Sequence, residues 1–70
     1  MVDVTLLRKR IDESGIPIVH VAKAAGMSRE TFYNRLENPI FKVSEAQKIA
    51  DVLHLSKKDF YDIFFAKSVI

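Results

Sequence analysis

Two histidines, His20 and His54, are the first places to look for metal or proton chemistry, and neither has a partner in sequence. They fall in different predicted helices, and the chain has no cysteine. Such histidines read as partly exposed helical side chains, not as a metal or catalytic pair. No glycine-rich loop able to cradle a phosphate is present, and no nucleophile elbow. The sequence therefore predicts no enzyme, no metal and no cofactor. What remains is hydrogen-bonding chemistry in the run Ile18–Asn38, IVHVAKAAGMSRETFYNRLEN.

That run predicts two short helices broken once, at Gly26. Val21, Ala22 and Ala25 are small or apolar at helical spacing, with Ile18 one turn earlier. Gly26 can take the left-handed conformation that ends a helix without the penalty of a Cβ. Met27 offers an apolar side chain to the turn, and Ser28 is a good N-cap for a second helix over 28–38. Glu30 suits the positive end of that helix, while Phe32 and Leu36 give it one buried edge. Ala22 keeps the inner face small where two helices cross closely. Together these features match the helix-turn-helix arrangement of DNA-binding proteins, a pattern that a generic helical hairpin can also show.

The flanking elements must hold this pair. A first helix, capped by Asp3 or Thr5, turns Val4, Leu7 and Ile11 inward and leaves Arg8, Lys9 and Arg10 outside, either as a solvated face or as a set of phosphate contacts. Gly15 ends it and Pro17 opens the second helix, Ile18 to Ala25. Pro39 closes the third helix, and Phe41 is expected to anchor the following loop on the core. A fourth helix spans Val43–Leu53, with Ser44 and Gln47 resembling a capping box. Ser56 and Asp59 form a second cap-like pair ahead of a fifth helix. That last helix carries Phe60, Ile63 and Phe64 on one side and Tyr61 and Phe65 on another, and Val69 and Ile70 follow it.

Composition sets the bounds. Seventy residues make one domain, and a chain of this size buries only about 60% of its unfolded surface. The absence of cysteine suits a reducing cytoplasm. No apolar run approaches the roughly 20 residues of a membrane span, and the N-terminus does not read as a signal peptide. A formal charge of +2 and an isoelectric point near 9.1 permit nucleic-acid binding without demanding it. The fifth helix is too apolar for a small monomer to bury. The expected remedy is a dimer covering Tyr61, Phe64, Phe65, Val69 and Ile70, within 56–70.

Five short helices broken between the second and third resemble the λ-repressor-like, Cro/CI-type (XRE) helix-turn-helix family. The residues that carry the resemblance are Val21-Ala22, Gly26-Met27-Ser28-Arg29, Phe32, Glu37-Asn38, Ile49-Ala50, Leu53, Leu55-Ser56 and Asp59-Phe60. It implies an all-α, five-helix domain over 1–70 and a small phage repressor or Cro-like regulator, dimeric on a double-stranded DNA operator. Two positions depart from the family's pattern. The second helix begins Pro17-Ile18 where members often have a cap followed by a phosphate-binding Gln, so that contact does not carry over. Arg35 stands where an apolar residue is common.

The resemblance implies that Ser28, Arg29, Glu30, Tyr33 and Asn34 face the major groove. Arg29 could donate twice to guanine O6 and N7, and Asn34 could pair with adenine N6 and N7. Glu30 could accept from a cytosine amine or support the helix dipole. Thr31, Arg35 and Lys42 are expected at phosphates, Lys42 because it lies at a helix N-terminus. No small-molecule effector site is expected. The rival is a protein-binding modulator, antirepressor-like or antitoxin-like, that uses the apolar fifth helix.

Overall fold

Helix α1 (Val4–Ser14) starts where the Asp3 carboxylate accepts the Leu6 N–H at 3.0 Å. The Asp3 N–H in turn donates to the Ile63 carbonyl at 2.6 Å, which ties the start of the chain to its last helix. In this computed structural model, which describes residues 2–65, four more helices follow: α2 (Ile18–Ala24), α3 (Arg29–Glu37), α4 (Val43–Leu53) and α5 (Lys57–Phe64). The described residues contain helices and connecting loops and no strand, so the fold is all-α. None of these helices is long and apolar enough to cross a membrane.

The turn between α2 and α3 is built as its residues predict. The Gly26 N–H donates to Lys23 O at 3.0 Å and the Met27 N–H to Ala22 O at 2.9 Å, with Gly26 left-handed at φ +78°. These two bonds satisfy carbonyls that a helix end would otherwise leave without partners. Ser28 then caps α3, its Oγ accepting the Thr31 N–H at 3.1 Å. α2 packs on α3 and α4, α1 on α4 and α5, and α4 on α5.

Leu7, Val21, Phe32, Ile49 and Ile63 are fully buried at the centre, one from each helix. The small buried faces of Ala22 and Ala25 let α2 sit closely against its neighbours. Phe41 folds the α3–α4 loop onto this core, its ring edge-on to Phe32 at 6.3 Å and to Phe64 at 5.8 Å.

Three expectations need correction. Phe64, assigned to a dimer surface, is only 6% exposed and belongs to the core, because α5 turns it inward beside Ile63. The cap at α4 is not Ser44 with Gln47: the Glu45 carboxylate accepts the Lys42 N–H at 2.8 Å, two residues earlier. Arg10 does not stay outside with Arg8 and Lys9. It bridges α1 to α5, donating to Glu13 at 2.7 Å and Asp59 at 3.4 Å. Val69 and Ile70 lie outside the described residues.

Candidate nucleic-acid interface

Phe32 and Leu36 point α3 into the core, and that orientation decides which of its side chains face outward. Ser28, Arg29, Glu30, Thr31 and Asn34 are exposed, and Tyr33 is half-buried with its ring packed against the core. The Arg29 guanidinium lies over that ring, 5.4 Å from its centroid. A stacked guanidinium keeps its N–H edge free while losing part of its rotamer freedom in advance. Among the described residues, no carboxylate pairs with Arg29, Arg8 or Lys42.

The cap itself uses up one hydroxyl. Ser28 Oγ accepts the Thr31 N–H and donates its own hydrogen to Thr31 Oγ1 at 2.9 Å. The Ser28 and Thr31 hydroxyls are thereby tied to one another at the start of α3.

Arg35 is placed differently from the expectation of a phosphate contact. Its Nη1 donates to Glu45 Oε1 at 2.6 Å and to the Ile40 carbonyl at 2.8 Å, and its guanidinium lies over the Phe41 ring at 5.9 Å. Glu45 is mostly buried, and burial pushes its carboxyl upward. The hydrogen bonds from Arg35 and the Lys42 N–H, with the charges behind them, outweigh that and hold it below its ordinary value. Arg35 and Glu45 thus clamp the end of α3 to the start of α4 and fix the loop between them.

Three shallow grooves join along this side of the molecule. One, of about 400 Å³, brings Arg8 and Asp12 of α1 beside Ile18 and Tyr33. A second is lined by Arg29, Glu30, Tyr33 and Asn34, and a third by Asn34, Arg35, Asn38, Ile40 and Lys42. Tyr33 and Asn34 are shared between neighbours, so the face runs unbroken from Arg8 across α3 to Lys42. Of the predicted set, Arg29, Glu30, Tyr33, Asn34 and Lys42 all line it, and Ser28 and Thr31 sit at its capped end. Arg8 was readable in sequence only as one of three basic residues; its place beside Tyr33 comes from the packing of α1.

Elsewhere, Tyr61 (60% exposed) and Phe65 (49%) meet in a tilted pair, ring centroids 5.4 Å apart, on the outer side of α5. His20 and His54 are both exposed, and the described residues hold no group of three His, Cys, Asp or Glu able to bind a metal. His54 instead ends α4 in a left-handed conformation at φ +54°. No protein-family model, curated protein or solved structure matches the chain.

Proposed function

We propose that the chain is a sequence-specific double-stranded DNA-binding regulator, of the small phage repressor or Cro-like kind, with α3 as its recognition helix. One observation carries the reading: α3 is short, capped and held on a tight turn, and it presents Arg29, Glu30, Tyr33 and Asn34 outward together. A helix of about this width fits the major groove, where arginine and asparagine discriminate base pairs by paired hydrogen bonds. Arg8 and Lys42 stand at the two ends of the face, where phosphates would flank the groove, and such contacts supply the sequence-independent share of affinity. Two copies related by a twofold axis would read half-sites about one helical turn apart, roughly 34–36 Å. Repression follows where such an operator overlaps a promoter.

The test is selection of bound sites from a random duplex pool at about 150 mM salt, where non-specific binding is weak. Enrichment of a short palindrome supports a symmetric dimer reading two half-sites. A single half-site keeps the DNA reader without the dimer. No enrichment at all sinks the reading.

A second reading, a protein-binding modulator, is favoured by Tyr61 and Phe65, which form an exposed aromatic pair on α5. Copurification of a larger regulator that is lost with Tyr61→Ser, together with indifference to DNA, would favour it over the first.

A further inference from the structure

Ile40 is the most exposed large apolar side chain among the described residues, at 78%. One exposed isoleucine is unremarkable by itself. Its backbone, however, is fixed on both sides. The Ile40 N–H donates to the Asn38 carbonyl at 2.7 Å, closing a three-residue turn about Pro39, whose ring fixes φ. The Ile40 carbonyl accepts from Arg35 at 2.8 Å, and Arg35 is itself held by Glu45. The side chain is therefore presented on a fixed backbone, which gives up little freedom on meeting a partner.

The surroundings indicate which partner. Ile40 shares its groove with Asn34 and Lys42, and none of the five lining residues is acidic. The groove is continuous through Asn34 with the outward face of α3. An apolar group that shares a groove with an amide, Asn34, and a cation, Lys42, fits one feature of duplex DNA. The thymine 5-methyl is the apolar group that base pairs display in the major groove. We propose that Ile40 packs against the methyl of a thymine at the edge of each half-site and selects for it. This rests on the DNA-binding reading above.

The experiment uses the full chain and a duplex recovered by the selection. Each thymine is replaced in turn by deoxyuridine, which keeps every hydrogen bond and removes only the methyl. One position per half-site is expected to lose about fourfold in affinity, the worth of one buried methyl. In Ile40→Ala that loss should vanish, since the two changes remove the same contact. The variant's helical circular dichroism and melting should match the parent's, because the side chain supports nothing in the fold. A flat deoxyuridine scan overturns the proposal, as does a loss of the same size in Ile40→Ala. Self-association that disappears in Ile40→Ala alongside a flat scan overturns it in favour of a protein contact. If the parent enriches no duplex at all, the DNA reading itself has failed and this proposal falls with it, an outcome separate from a flat scan on a bound site.

Discussion

The α2–α3 and α4–α5 junctions are two copies of one device. In each, an alanine carbonyl accepts the N–H five residues on at 2.9 Å: Ala22 from Met27, and Ala50 from Leu55. In each, the residue before that donor is left-handed, Gly26 or His54, and a serine follows whose Oγ caps the next helix at 3.1 Å. The match continues into α3 and α5. Phe32-Tyr33 and Phe60-Tyr61 hold equivalent places, as do Leu36 and Phe64. The side chains that face outward differ. α3 shows Arg29 and Asn34 where α5 shows Lys57 and Asp62, and Glu37 has Phe65 as its counterpart. One local architecture carries two surfaces, a polar one on α3 and an aromatic one on α5. Backbone chemistry sets the turn; the outward positions set the character of each surface.

The sharpest way to break this equivalence is at the two phenylalanines. Phe32 is fully buried, whereas Phe60 is only partly buried and also meets the Tyr61 and Phe65 rings. Phe32→Ala should cost about 3–5 kcal/mol by denaturant unfolding, a large part of what so small a domain has. Phe60→Ala should cost clearly less. Equal costs would mean that the aromatic side of α5 belongs to the core, and the contrast between the two helices would collapse.

The surfaces can be separated by Arg29 and its counterpart Lys57. Arg29→Ala should weaken binding to a selected site by about 1–3 kcal/mol and relax preference at one base pair. Lys57→Ala should leave base preference untouched. The same relaxation from both would mean that the outward face of α3 holds no special reader.

At the turns themselves the two copies should respond with opposite signs. Gly26→Ala forces a Cβ into a left-handed residue and should destabilise by roughly 1–2 kcal/mol, although nothing lies within 4 Å of the added atom. His54→Gly relieves that strain and should stabilise by about 1 kcal/mol. Thermal melts of the two variants decide it, and a destabilised His54→Gly would show that the imidazole contributes something the backbone geometry does not reveal.

The sequence carried the turns well and the cross-helix pairings poorly. Gly26 with Ser28, Ser56 with Asp59, and the inward Phe32 and Leu36 are local patterns, within a few residues, where propensity and periodicity act directly. The left-handed end of α4 was not legible, because histidine there breaks the preference for glycine. The places of Arg10, Arg35 and Phe64 depend on partners brought in by packing: Asp59 from α5, Glu45 from α4, and Phe41 from the loop. The apolar excess of α5 was read correctly as a pattern, but which of its aromatics turn inward was set by α1 and α4. Arg35 is the clearest case. Its counterpart in the other copy is Ile63, fully buried, so the core would accept an apolar residue there. With arginine in place, Glu45 becomes the necessary partner, and a possible DNA contact becomes a brace.

That brace gives the smallest expected effect, and the most specific one, because its counterpart in α5 has no charge to titrate. The Glu45 carboxyl is held below its ordinary value of 4.5 in the folded chain. A carboxylate with a depressed folded pKa adds stability at pH values above its unfolded pKa, and that stability is lost as pH falls through the folded one. The unfolding free energy should therefore be flat in this respect near neutrality and decline on acidification below about 4.5. Glu45→Gln keeps the size and one acceptor oxygen but carries no charge to lose. It should start lower at neutral pH and show a shallower acid decline than the parent. Parallel declines in the two proteins would show that the Glu45 carboxylate is not the source of the acid sensitivity. If the difference appears, the same variant should also weaken the DNA contact proposed for Ile40, since the loop that presents Ile40 hangs on Arg35.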